Sequence, residues 1–179
     1  PHFICLDVAN GYLDNVIDKI QYIREKYPTI TLIAGNVVTP ELVTKYYENG
    51  VDIIKMGIGS GSVCTTRLKT GVGYPQFSCI KDTKTNIPEG CYIMSDGGIQ
   101  QMGDFSKAYG VGADFVMSGG MFAGHDECSG CIVEENGIRY KVFYGMSSAN
   151  AMNKYYGKVA SYRSSEGKCV KIKLRGPVE

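Results

Sequence analysis

The stretch "IGSGSVCTTR" at residues 58–67 places one cysteine, Cys64, among small and flexible residues directly after the apolar run "VDIIKMG". A thiol becomes a nucleophile where positive charge or backbone N–H groups favour its thiolate, and Arg67 and Lys69 follow closely in sequence. Glycines at 57, 59 and 61 let the backbone approach a ligand or turn its carbonyls toward an ion. The same cysteine could also be a small buried apolar side chain, and the local pattern leaves both readings open. Thr65 and Thr66 offer hydroxyls that either hold structure or relay a proton to a nearby carboxylate.

Two paired-glycine segments suggest phosphate chemistry. "SDGG" at 95–98 and "SGG" at 118–120 each close an apolar run, and glycines there free backbone N–H groups to point at an anion. Asp96 repels a phosphate but accepts hydrogen bonds from sugar hydroxyls. "HDECSGC" at 125–131 invites a metal through His125, Cys128 and Cys131, yet structural zinc takes four ligands in paired spacing, and no second pair is evident. A polar loop is the better reading. "SYRSSEG" at 161–167 sets Arg163, two serines and Glu166 on a segment expected to be a solvated loop, with Tyr155, Tyr156 and Tyr162 as packing residues.

These groups need elements to hold them. "FICLDVA", "TLIAGNVV", "VDIIKMGIG", "CYIMSDGG" and "ADFVMSGG" read as short strands, most of them ending in glycine. "LDNVIDKIQYIREKY" puts Val16, Ile20, Ile23 and Tyr27 on one helical face. "TPELVTKYYENG" predicts a helix capped by Thr39, with Pro40 at its first position and Gly50 past its end. "GDFSKAYGVG" predicts a further helix, and the span from Gly59 to about Gln76 is read as one long loop. Strands alternating with helices make a parallel α/β sheet, either open and doubly wound or part of a (β/α)8 barrel. Both put sites at strand carboxyl ends, and glycine loops after the last two strands favour the barrel. The tail departs from this repeat: "CIVEENGIRYKVFYG" predicts a hairpin turning at Asn136-Gly137, "SANAMNKYY" a short helix, and "GKVASYRSSEGKCVKIKLRG" a loop with one strand-like piece.

Composition narrows the function classes. The 179 residues carry a formal net charge of +1 and 44% hydrophobic residues, as a globular chain does. No basic excess exists to neutralise nucleic-acid phosphates. No apolar run approaches the roughly 20 residues of a membrane span, and Pro1 does not open a signal peptide. The seven cysteines are odd in number and several lie in apolar runs, so free thiols in a reducing, cytoplasmic setting are expected.

Taken in order, these pieces resemble the inosine-5′-monophosphate dehydrogenase and guanosine-5′-monophosphate reductase family. "GSVCTT" resembles its cysteine loop, "SDGG" and "FVMSGG" its phosphate strands, and "FYGMSS" its next nucleotide-contacting turn, over nearly the whole chain. Tyr144 before the "GM" turn, Ser147-Ser148 after it, "AGHDECSG" and "YRSSEGK" are similar to the reductase branch rather than the dehydrogenase branch. The resemblance implies a (β/α)8 barrel of which residues 1–179 form one catalytic portion, about the last five βα units with a hairpin and a flap loop. It implies reductive deamination of GMP to IMP, with NADPH as hydride donor, in a cytoplasmic homotetramer. Cys64 would be the nucleophile, with Thr66 and Glu166 handling protons. Asp96, Gly97, Gly98, Gly119 and Gly120 would hold ribose and phosphate. Gly145, Met146 and Ser147 would lie along the nucleotide, and Arg163, Ser164, Ser165, Glu166 and Gly167 would close over it. Asp7, Val8, Ala9, Met146, Tyr162 and Arg163 would face the cofactor. Gly59, Gly61, Cys64 and Arg67 match a monovalent-cation loop, implying K+. Ser60 replaces the usual proline of that loop, and Cys131 an acidic residue. The match opens at the family's fourth barrel strand, so a non-catalytic nucleotide-binding fragment stands as the rival of a different class, beside the dehydrogenase.

Overall fold

The computed structural model describes residues 1–159 and 165–178. Five strands, β1 (Phe3–Asp7), β2 (Thr31–Val37), β3 (Ile53–Met56), β4 (Tyr92–Asp96) and β5 (Phe115–Met117), form one sheet in that order. Every pair is parallel. The order never reverses, as it must in a doubly wound sheet. The strands are those expected, and the topology is that of successive βα units laid side by side.

Helices α1 (Asp14–Lys26), α2 (Pro40–Glu48), α4 (Gln76–Lys84) and α5 (Met102–Gly110) alternate with the strands. Their inward residues Val16, Ile20, Val43, Tyr46, Cys79, Ile80 and Ala108 form one core with Leu32, Ala34, Ile54, Met56 and Ile93 of the sheet. The register puts the other side of each strand on a second face: Phe3, Cys5 and Asp7, then Ile33 and Gly35, Ile53 and Lys55, Tyr92, Met94 and Asp96, and finally Phe115 and Met117. Of these, Phe3, Tyr92, Phe115 and Met117 are exposed. One face of the sheet is therefore packed, and the other is bare at Phe3, Tyr92, Phe115 and Met117 but closed in its middle, where Gly35, Ile53 and Lys55 are buried.

Ile54 has no exposed surface in the middle of the packed face. Ile54→Ala is expected to cost about 2–5 kcal/mol of unfolding free energy, through lost burial and the cavity left behind. Urea denaturation followed by circular dichroism measures it.

Several local expectations are refined. Tyr27 does not lie on the buried face of α1; it is the C-cap residue and is exposed, because the chain leaves helical geometry there. Thr39 stands at the N-cap of α2 without a side-chain cap, since its hydroxyl instead accepts from the Tyr12 hydroxyl at 3.0 Å. The long loop after β3 contains a short helix, α3 (Thr66–Thr70), and α4 begins at its end; neither was legible as a helix. Tyr155 is exposed rather than packed, with the Lys154 ammonium 5.4 Å from its ring centroid.

The tail forms an antiparallel sheet of β6 (Ile132–Glu135), β7 (Ile138–Tyr144) and β8 (Cys169–Lys173). Asn136 and Gly137 turn the first hairpin with φ of 53° and 73°, the left-handed pair such a turn needs. Helix α6 (Ala149–Tyr156) follows β7, its Ser148 hydroxyl accepting from the Ala151 N–H. The buried Lys141 of β7 donates to the carbonyls of His125, Asp126 and Cys128, tying the "HDECSGC" loop to this sheet, and the His125 ring meets the Pro177 carbonyl. Among the described residues, no helix is long and apolar enough to cross a membrane.

Candidate active site

Cys64 lies at the head of α3, and its thiol donates to the Thr66 hydroxyl at 3.2 Å. Thr66 in turn donates to Glu166 Oε2 at 2.7 Å. Residues a hundred positions apart thus form one chain of hydrogen bonds. The backbone holds them in register: Thr65 N–H donates to the Glu166 carbonyl at 2.8 Å, Lys168 N–H to the Val63 carbonyl at 2.9 Å, and Glu166 N–H to the Ser147 carbonyl at 3.0 Å. Cys64 pairs with Gly167 in an isolated β-bridge, and Gly167 pairs also with Ser148. A side chain on Gly167 would sit 2.9 Å from the Ser148 nitrogen, so glycine is what lets the three segments meet. The Ser165 hydroxyl accepts from Ala149 N–H at 3.0 Å.

Beside the thiol loop runs a cleft of about 300 Å³. Its walls include Gly61 to Val63 of that loop, together with Asp96 to Gly98, Gly119 and Gly120, and Gly145 and Met146, which are among the residues expected to contact nucleotide. Ser118, whose buried hydroxyl has no partner among the described residues, lines it too. Tyr144 completes the rim; its phenol is drawn below the ordinary tyrosine range by hydrogen bonding with Tyr155 and then with the Lys154 ammonium. Tyr162, Arg163 and Ser164 lie outside the described residues.

Three thiols outside this chain of hydrogen bonds are shielded from ionisation. Burial pushes Cys79 up to about 12 and Cys91 up to about 11, and it raises Cys5 with Asp7 adding to the effect. Held as thiols at neutral pH, these three are poor nucleophiles.

Asp7, Val8 and Ala9, expected on the cofactor side, do not line the cleft. They lie at the carboxyl end of β1, where Val8 exchanges backbone hydrogen bonds with Gly35 and Asn36. What joins them to Asp96 is Lys55, a residue that sequence reasoning missed. Its side chain is only 3% exposed and bridges Asp96 Oδ2 on β4 and Asp7 Oδ1 on β1, the latter at 3.2 Å. Burial works against the ammonium, but Asp96 and then Asp7 outweigh it and raise its pKa above the ordinary lysine value. Asn36 of β2 was missed as well; its amide donates to Asp96 Oδ2 at 2.9 Å and to the Gly57 carbonyl at 2.7 Å. Ser60 donates to the Asp96 carbonyl at 2.6 Å, holding the glycine loop against β4.

The loop expected to hold a cation offers neutral backbone carbonyls at Gly59, Gly61 and Cys64, a donor type that monovalent ions accept. Gly59 adopts φ of 77°, and the Arg67 side chain fills the space where its Cβ would be. Gly61 O accepts the Cys64 N–H at 3.0 Å and keeps a second lone pair. Arg67 fits that role less well: its guanidinium donates to the Tyr74 carbonyl at 2.5 Å, and its own carbonyl accepts the Gly71 N–H.

Comparison with known proteins agrees over the whole chain. The family model described as the IMP dehydrogenase / GMP reductase domain matches residues 2–179. A GMP reductase of Shigella boydii serotype 18 is 55% identical over 181 residues, covering 99% of this chain and 52% of that protein. GMP reductases of Ascaris suum and Caenorhabditis elegans are each 54% identical over 178 residues, covering 98% of this chain and 50% and 49% of theirs. The chain spans about half the length of these curated relatives. With a thiol loop, glycine strand ends and a returning Glu166 segment set on a parallel α/β sheet, and with this match across its length, the chain belongs to the IMP dehydrogenase / GMP reductase family.

Proposed function

We propose that this chain is the nucleotide-binding, thiol-bearing portion of a GMP reductase, which converts GMP to IMP and ammonia. The observation that carries the reading is the hydrogen-bond chain Cys64–Thr66–Glu166 beside a cleft lined by glycine strand ends. Cys64 Sγ attacks C2 of the purine. Its proton leaves through Thr66 toward Glu166, and the same pair returns a proton to the departing amine. Ammonia leaves, and a thioimidate joins Cys64 to C2. NADPH, which Asp7, Val8, Ala9 and Met146 would hold, would supply a hydride for C2, and the Cys64 sulfur is the group that C2 would then release. Dividing deamination from reduction replaces one difficult conversion by two easier ones.

Asp96 takes the ribose hydroxyls, and Gly97, Gly98, Gly119 and Gly120 bring backbone N–H groups to the phosphate. Gly145, Met146 and Ser147 lie along the nucleotide, and residues 163–167 close over it. Asp7, Val8 and Ala9, with the 67% exposed Met146 and with Tyr162 and Arg163, form the cofactor side. The exposed Asp7 carboxylate at the end of β1 suits the ribose hydroxyls of a dinucleotide. Carbonyls of Gly59, Gly61 and Cys64 would hold K+.

The five strands are an arc of a (β/α)8 barrel in this reading, residues 1–179 being one portion of its catalytic domain. The unreversed strand order and the bare positions Phe3, Tyr92, Phe115 and Met117 on one face support it, since a closed barrel fills its interior with such side chains. The assembly is a cytoplasmic homotetramer; seven free thiols suit a reducing compartment.

The test is substrate choice in the complete protein. Adding GMP is expected to start NADPH oxidation with one ammonia released per NADPH, while IMP with NAD gives no turnover. Turnover with IMP and NAD alone would overturn the reading in favour of the dehydrogenase. GMP binding without ammonia release would mark a non-catalytic nucleotide-binding protein.

A further inference from the structure

Lys55 sits within the apolar strand β3, yet its ammonium meets two carboxylates from other strands. Gly35 of β2 lies between β3 and β1, and a side chain there would come within 2.6 Å of the Lys55 Cβ. The missing side chain leaves Lys55 room to cross β2 and reach Asp7 at 3.2 Å. On its other side Lys55 shares Asp96 Oδ2 with the Asn36 amide. That oxygen is thereby occupied by two donors, and Asp96 Oδ1 receives no hydrogen bond from the described residues. A carboxylate held by one oxygen presents the other in a fixed direction, and Asp96 lines the cleft.

Resting on the function proposed above, we infer that Lys55 is a positioning residue shared by two subsites: one buried ammonium orients Asp96 toward the nucleotide sugar and Asp7 toward the cofactor. The reasoning is electrostatic. Asp7 and Asp96 are like charges brought to one cation, and without that cation they repel across a partly buried space. Asp96 would then swing toward water and Asp7 away from it. Asn36 could not replace the cation, because an amide carries no net charge. Lys55 touches neither substrate nor cofactor in this arrangement; it acts through the two carboxylates.

A double-mutant cycle on GMP binding, without cofactor and by calorimetry on the complete protein, separates this role from general stability. Lys55→Met is expected to weaken GMP binding by on the order of 10- to 100-fold, the range for losing a hydrogen bond to a charged group. Asp96→Asn alone weakens it similarly. The double variant is expected to bind within about threefold of Asp96→Asn, because Lys55 has nothing left to orient. The same cycle with Asp7→Asn, read as NADPH affinity, is expected to show the same non-additivity. If Lys55→Met does not fold, Lys55→Gln, which keeps a donor and loses the charge, carries the cycle. Losses that multiply in the double variant, or unchanged GMP affinity in the single lysine variant, would overturn the inference. Failure of the unmodified protein to bind GMP would instead reject the function on which it rests.

Discussion

Cys64→Ser is expected to abolish GMP-dependent NADPH oxidation and ammonia release, by at least about 10³-fold, the scale on which removing a nucleophile acts. Serine puts a hydroxyl donor in place of the thiol that donates to Thr66, so the local hydrogen-bond chain and the cleft persist. GMP affinity should therefore stay within about threefold of the parent, because the residue is asked only to form a bond, not to bind. An alkoxide is far less accessible at neutral pH than a thiolate, and the covalent stage cannot begin. Coupled measurement of NADPH absorbance and ammonia checks the loss. Intact-protein mass after incubation with GMP checks its cause: an adduct forms on the parent protein and none on the variant. Full turnover by the serine variant would remove Cys64 from the mechanism.

The second large effect falls on the proton path. Glu166→Gln preserves shape and removes the carboxylate that accepts from Thr66 at 2.7 Å. Its backbone bonds to Thr65 and Ser147 are main-chain contacts that the substitution leaves in place. Ammonia release should fall by about 10²–10⁴-fold, as expected when a positioned acid–base group is removed. Thr66→Val interrupts the same path one bond earlier and should fall by a comparable factor. If the two residues work as one relay, the double variant is no worse than the slower single variant by more than about threefold. Single-turnover ammonia assays on the three variants decide it. Losses that multiply would mean that Thr66 and Glu166 act separately.

Much of the frame could be read from residue pattern alone, because short apolar runs ended by glycine leave few options. All five parallel strands and the Asn136-Gly137 hairpin were visible in this way. Helix α4 was not: "QFSCIKDTK" buries Cys79, Ile80 and Thr83, a stripe too short and mixed to stand out from the loop before it. Tyr27 continued the apolar period of α1, but periodicity does not know where a helix ends. Lys55 was hidden by its own surroundings. Inside "VDIIKMG" it looks like an interruption of a buried strand, and nothing nearby in sequence announces that Asp96 will meet it from 41 positions away. The pairing of Cys64 with Glu166 came from resemblance to a family, not from spacing, since a separation of a hundred residues carries no local signal. Tertiary geometry turns such isolated residues into a set.

The separation between Thr66 and Glu166 also bears on the order of folding. It is the longest sequence span of any side-chain hydrogen bond among the described residues. Each strand of the parallel sheet pairs with its immediate successor, so the sheet can grow by closing short loops one after another. The Thr66–Glu166 bond instead closes a loop encompassing β4, α5, β5 and the β6–β7 hairpin, and chain entropy places such a contact late. While the chain assembles, Thr66 therefore lacks the carboxylate to which its hydroxyl donates. It gains its partner when the C-terminal sheet docks and Gly167 comes to lie between Cys64 and Ser148. The hydrogen-bond chain that starts at Cys64 is completed last.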